Sequence, residues 1–409
     1  MTEAAARLPD AEGRIPDEER AAGAEPYLAL LARLSRQSVL KRYECYRDID
    51  WDAPDSQIDP ADPRFILGPD DPLGRSNWYQ AQSPGLRARI GLYRVATFMR
   101  VGLQFENVLS RGLLAFALSR PTSSPEHRYA YHELIEESHH SMMFGEFVRR
   151  TAAEVTGLDG RWLFLGELVA RLGRTFPELF FVFVLGGEDP IDHAQRQALD
   201  NGQVQHPLLR RISQVHITEE ARHLCFARNF LKQHVPQLSP ARRTTLALMG
   251  PVILRVMAWM MMRPPRELTA IFGVPAEVLA EAFAAPEQRA ATVAALAKVR
   301  ALFVEMGLIT PYTEWLWHAL GADAGTTTAG AGTAAGDRKA TGEKRVASYE
   351  KATGDKKAES HRKATGDRKV ASHRKVTGDA NVASDGKVTG QGEAAGEGEV
   401  AAAQTRARA

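Results

Sequence analysis

An all-α fold built around a helical bundle is what this sequence predicts, and three observations carry the prediction. Apolar residues recur at helical spacing through the first 320 residues, while strand-type alternation is nearly absent. The periodic stretches are long enough to run the length of a bundle. All ten Met, six Trp and sixteen Phe lie in those 320 residues, so the 409-residue chain carries the core of one domain rather than two.

Residues 1–25 are Ala, Glu, Asp, Arg and Pro with almost no bulky apolar side chain, and read as a flexible arm. An amphipathic helix is expected from Pro26 to about Tyr46. Residues 49–85 are rich in Pro, Asp and Gly, carry Trp51, Trp78 and Tyr79, and read as a long irregular wrap of a kind that is often functional. Helices are then expected near 86–119, 126–155, 161–185, 187–201, 205–234, 238–262, 276–284 and 287–320. The break at Gly186-Gly187 puts Pro190 in a first helical turn, where its missing N–H costs little. From Gly321 to Ala409 there is no Leu, Ile, Phe, Met, Trp or Cys, too little apolar surface to offset the entropy of ordering. This stretch holds five copies of a 12-residue repeat, beginning at Lys339, Lys351, Lys363, Lys375 and Lys387. The repeat has no apolar face to stack, so it reads as a disordered low-complexity tail. The expected organisation is an arm (1–25), one helical domain (26–320) and a tail (321–409).

The formal charge of +2 conceals a basic tail and a slightly acidic domain, so a basic nucleic-acid-binding surface is not indicated. Cys45 and Cys225 allow at most one disulfide, which excludes a disulfide scaffold. The N-terminus lacks a basic segment followed by an apolar one, so no signal peptide is expected. The best candidate for a membrane span, Thr244–Met262, is interrupted by Gly250, Pro251 and Arg255 and reads as a Met-rich buried helix. The expectation is a cytoplasmic protein that binds neither membrane nor nucleic acid.

Four segments carry chemistry: GLQFENVLSRG with Glu106; YHELIEESHHSMMF with Glu136, Glu137, His139 and His140; FFVFVLGGEDPIDH with Glu188 and Asp189; and QVHITEEARHLCFAR with His216, Glu219, Glu220 and His223. Residues three and four apart share a helix face. Glu137 and His140 therefore project together, as do His216, Glu220 and His223. Glu106 precedes Glu137 by 31 residues and Glu188 precedes Glu220 by 32. Each half thus reads as a helix with one Glu, then a helix with Glu-Glu-x-x-His. Two such halves form the pattern of a ferritin-like four-helix bundle with a carboxylate-bridged pair of metals. Carboxylates and imidazoles suit Fe or Mn rather than a thiolate metal. The alternative is a pair of amphipathic helices whose Glu and His are solvated or salt-bridged.

The register at the second segment is ambiguous, because Glu136/His139 has the spacing of Glu137/His140. The fourth segment decides it: Glu219 would pair with Arg222, which cannot ligate, so the ligand is the second acid of each pair. Glu136 and Glu219 become candidates to accept a hydrogen bond from a ligand imidazole on a neighbouring helix. His139 is expected to face away. Glu188 and Asp189 compete, with the spacing favouring Glu188, and Asp192 or His193 is a candidate supporting residue. The predicted ligand set is Glu106, Glu137, His140, Glu188, His216, Glu220 and His223.

These motifs resemble the p-aminobenzoate N-oxygenase family of non-haem di-iron enzymes over roughly residues 86–235, and over 26–320 by helical layout. Glu106 and Glu188 match the family's lone Glu. Glu136-Glu137-Ser138-His139-His140 and Glu219-Glu220-Ala221-Arg222-His223 match its two motifs, and His216 matches its additional histidine. One departure is that the acid before each ligand Glu is Glu here, where the family usually has Asp. The resemblance implies two irons, O2 as co-substrate, and oxidation of an amine nitrogen through hydroxylamine and nitroso stages towards nitro. It also implies an external electron donor of ferredoxin or flavin-reductase type, since no GxGxxG-like cofactor motif is visible, and a homodimer. Competing readings are a di-iron C-hydroxylase or desaturase, a ferritin-type iron binder, and a metal-free helical interaction protein.

Overall fold

The computed structural model describes residues 26–319 except Arg263 and Arg266, together with Gly321. The expected N-terminal arm and repeat tail lie outside the described residues. Among those described there are twelve α-helices and no strand. They are α1 (Tyr27–Leu40), α2 (Asn77–Gln80), α3 (Pro84–Ala117), α4 (Pro125–Thr151), α5 (Gly160–Thr175), α6 (Pro177–Asp200), α7 (Pro207–His234), α8 (Pro240–Met262), α9 (Glu267–Phe272), α10 (Ala276–Ala284), α11 (Pro286–Glu305) and α12 (Pro311–Ala319).

The four bundle helices α3, α4, α6 and α7 each begin at a proline, and α3 and α4 add a serine cap. Ser83 accepts from the Leu86 amide ahead of Pro84, and Ser124 accepts from the Glu126 amide ahead of Pro125. α3 pairs with α4 and α6 with α7, while contacts of α3 with α6 and of α4 with α7 close a ferritin-like four-helix bundle. α5 covers α3 and α6, α8 and α11 cover α6, and α1 lies across α4 and α7. Phe116, Phe181, Phe226 and Phe230, one or two from three of the four bundle helices, stack edge to face at one end of the core.

The structure corrects four expectations. The break foreseen at Gly186-Gly187 is not there; the chain breaks at Phe176 (φ −150°, ψ 71°), because Pro177 bars helical geometry at the residue before it. Gly186 and Gly187 instead lie inside α6, where neighbours approach closely, and a Cβ at Gly187 would collide with the Phe105 ring. Pro190 is therefore interior rather than in a first turn, and offers no N–H to the Gly186 carbonyl. The single helix expected over 287–320 is two, α11 and α12, separated at Gly307 with φ +64°. The first helix stops at Leu40, and α9 was not foreseen.

α8 is only half buried. Leu246, Leu254 and Met257 are inside, whereas Leu248, Met249 and Trp259 are exposed. Among the described residues it is the one helix long and apolar enough to cross a membrane. Residues 49–85 form the expected irregular wrap, with two short 3-10 turns and α2. Trp51 anchors it, its indole N–H donating to the Cys45 carbonyl at 2.8 Å while Arg150 of α4 lies over its ring and donates to its carbonyl. Both cysteines are free thiols.

Candidate metal centre

Helical spacing places Glu106 on α3, Glu137 and His140 on α4, Glu188 on α6, and His216, Glu220 and His223 on α7. The bundle turns all seven inward, and each is at most 1% exposed. His140 Nδ1 lies 3.3 Å from both Glu137 and Glu220. His223 Nδ1 lies 3.0 Å from Glu137 and 3.1 Å from Glu220. Glu137 and Glu220 thus sit between the two imidazoles, each within 3.3 Å of both Nδ1 atoms. His216 Nε2 faces Glu106 at 3.5 Å, Glu220 at 3.9 Å and Glu188 at 4.0 Å.

The acids preceding the two inner carboxylates cross-link the helices. The Nε2–H of His140 (α4) donates to Glu219 of α7 at 3.0 Å, and that of His223 (α7) donates to Glu136 of α4 at 2.7 Å. These bonds fix each ring with Nδ1 toward the inner carboxylates. His139 faces away, half-buried near Glu44.

Sequence reasoning missed several groups. Arg222 donates to Glu136 at 2.8 Å and lies 3.6 Å from Glu219, so one guanidinium ties both outer acids together. The Tyr43 amide donates to Glu219 at 3.0 Å, bringing the segment after α1 to the site. Gln195 holds His216 Nδ1 at 2.9 Å, in the supporting role for which Asp192 and His193 were candidates. Asp192 is taken instead by Arg196 at 2.8 Å, with Lys298 at 3.9 Å. Asp189 pairs with Arg228, away from the cluster, which leaves Glu188 as the inward acid of α6. Glu133, one turn before Glu137, is also buried beside the cluster. Only Glu133 had a signal in the sequence: it stands four residues before Glu137, as His216 stands four before Glu220.

Burial, with Glu137 and Glu188 adding their charge, pushes Glu106 well above the usual carboxylate range. Burial and then Glu220 do the same to Glu188. Burial also opposes ionisation of Glu137, but His223 and His140 more than offset it and hold that carboxyl well down. Glu220 is likewise held at about 2, because His223 and His140 outweigh its burial. The reciprocal effect raises His140 and His223 well above the ordinary imidazole value against their desolvation. His216 is lowered to about 4 by burial and by the charge of His140.

Without a cation this arrangement is costly. Glu106 Oε2, both oxygens of Glu188, Glu220 Oε2 and His216 Nε2 are buried with no hydrogen-bond partner. Unpartnered oxygens and an unpartnered nitrogen converging in a dry interior fit hard or borderline divalent cations. The surroundings are apolar: the Phe144 ring centroid is 5.2 Å from that of His216, and Met99 and Phe181 are buried in the bundle. Two clefts, of about 600 and 500 Å³, share Trp259, Pro264 and Pro265, and neither is lined by a residue of the cluster.

Comparison with known proteins agrees with this geometry. The family model described as p-aminobenzoate N-oxygenase AurF matches residues 24–307. The chain is similar to an uncharacterized protein of Mycobacterium tuberculosis, with 40% identity over 293 residues, covering 71% of this chain and 86% of the relative. An uncharacterized protein of Mycobacterium bovis matches with the same identity and coverage. No solved structure gives a significant match. With the family match extending over the whole bundle and the relatives over most of their own length, the chain belongs to the p-aminobenzoate N-oxygenase AurF family.

Proposed function

We propose that this chain is a di-iron oxygenase that uses O2 to oxidise an amine nitrogen, carrying an aryl amine through hydroxylamine and nitroso stages towards nitro. The observation that carries the proposal is the convergence of four glutamates and three histidines, several with unpartnered atoms, in the core of an AurF-family bundle. Glu106, Glu137, His140, Glu188, His216, Glu220 and His223 would hold the metals. Two irons so held would supply the electrons and Lewis acidity that O2 activation needs.

The protein's own contribution is positional. Glu136 and Glu219 hold the Nε2–H of His223 and His140, keeping Nδ1 of each free to ligate. Gln195 fixes His216 with Nε2 inward. Phe144 and Met99 keep bulk water from the oxidising site. The substrate is a small-molecule amine, and electrons come from an external donor of ferredoxin or flavin-reductase type.

The test is product analysis. Anaerobically iron-loaded and reduced full-length protein is mixed with O2 and a panel of aryl amines. Hydroxylamine, nitroso or nitro products are expected, with loss of iron and product in His140→Ala and His223→Ala. Hydroxylated or desaturated carbon as the sole product would establish the C-hydroxylase or desaturase reading instead. Iron uptake with no oxidised product from any substrate class would point to the ferritin-type binder.

A further inference from the structure

Glu133 is the one fully buried acid of the cluster without an assigned role. It lies on α4, is 1% exposed, and its Oε2 has no hydrogen-bond partner. One of its oxygens, one of Glu137 and a ring nitrogen of His223 all lie within 4.8 Å of one another, close enough to share a cation. Among the described residues no Lys or Arg is paired with it, unlike Glu136 with Arg222 or Asp189 with Arg228.

Its position has a counterpart. On α7 the donors are His216, Glu220 and His223, at i, i+4 and i+7. On α4, Glu133, Glu137 and His140 occupy the same three positions. Residues with this spacing lie on one helix face over two turns. Each helix's first donor also approaches the imidazole of the other helix. His216 groups with His140 and Glu106, and Glu133 groups with His223 and Glu137. The two helices therefore present equivalent donor triads, in one of which an imidazole is replaced by a carboxylate.

We infer that Glu133 is an eighth metal ligand, donating a carboxylate oxygen to the cation on the His223 side. This rests on the di-metal reading above. It makes the two metal positions chemically unequal: His140, His216 and Glu106 surround one, while the other gains a carboxylate in place of a second imidazole. Carboxylate is the harder donor, so the His223 side is the better position for a high-charge, oxygen-loving ion.

The test uses the full-length chain, wild type and Glu133→Gln, titrated anaerobically with ferrous iron and examined by Mössbauer spectroscopy. Cobalt(II) serves as an optical probe of ligand number. The wild type is expected to bind two irons. Glu133→Gln should bind the first unchanged and the second at least about tenfold more weakly. One Mössbauer doublet should shift while the other stays, and the cobalt d–d bands should change for one equivalent only. Glu133→Leu should show the same loss, and Glu133→Asp, which keeps the charge but retracts it by one methylene, should restore part of the affinity. Circular dichroism of the metal-free variants checks folding, and if Glu133→Gln does not fold, Glu133→Asp and its spectra decide. Wild-type affinity and unchanged spectra in the variants would overturn the inference while leaving the di-metal reading intact. A wild type that binds no metal would overturn both.

Discussion

The α3–α4 half and the α6–α7 half of the centre supply their donors from matching helical positions, yet the backbones that carry them differ. Glu106 sits in an uninterrupted run of α3. Glu188 sits in α6 directly after Gly186-Gly187 and two residues before Pro190. The ring of Phe105, next to Glu106, rests on the bare backbone of Gly187, next to Glu188, and packs on Phe183 with centroids 5.2 Å apart. Gly187 is what lets the Phe105 ring lie against α6 and the two halves approach, while Gly186 faces Leu254 and Met257 of α8. The same chemistry is thus delivered by an ordinary helix on one side and by a helix thinned for close approach on the other.

The sharpest way to break the comparison is at the carboxylates that belong to both halves. Glu137→Ala or Glu220→Ala removes a group lying between His140 and His223, so each variant is expected to lose tight binding of both metals, read as iron per chain after desalting. Glu136→Ala and Glu219→Ala test whether the reciprocal cross-helix bonds are equivalent. Each is expected to weaken metal binding by about 10- to 100-fold, measured by competition with a chelator. The Glu219 variant should also loosen the segment anchored through the Tyr43 amide, seen as faster local hydrogen exchange.

A pH series probes both halves together. His140 and His223 are raised above the ordinary imidazole value and must lose protons before they ligate. Ferrous affinity should therefore keep rising with pH beyond the ordinary imidazole value, with protons released on binding. Calorimetry in buffers of different ionisation enthalpy gives the count, and affinity that falls with pH would contradict the assigned protonation. For metal-free protein, His216 has a folded value of about 4, below its unfolded value. Its contribution to stability is complete above the unfolded pKa and is lost as pH falls through about 4.

The smallest expected effects compare the helices themselves. Gly187→Ala drives a methyl into the Phe105 ring and should destabilise by about 1–3 kcal/mol. Gly145→Ala on α4 meets only Leu103, at 3.8 Å, and should stabilise by about 0.5–1 kcal/mol. Denaturant unfolding of the metal-free proteins separates the two.

Much of the site was legible because its logic is periodic. The helix period alone put Glu137 with His140 and Glu220 with His223, and the arginine at position 222 resolved which acid of each pair points inward. The near-equal spacing of the two halves chose Glu188 over Asp189. The same arithmetic applies to Glu133, whose spacing to Glu137 repeats that of His216 to Glu220, but a carboxylate standing where the other helix has an imidazole is a weak signal in one dimension. The break in front of α6 was misplaced because two glycines look like an interruption in one dimension. Only the packing shows them to be contact surfaces, Gly187 against Phe105 and Gly186 against Leu254 of α8.

The sequence by itself determined the helical class, the inward face of each motif helix and the donor types offered there, because these depend on local spacing and side-chain chemistry. The tertiary structure decided which helices meet: that His140 is held by Glu219 and His223 by Glu136, that Arg222 spans both acids, that Gln195 rather than Asp192 supports His216, and that Tyr43 reaches the site from another segment. These partners lie far apart along the chain, and their pairing is set by helix packing and by the demand that every buried polar group find a partner.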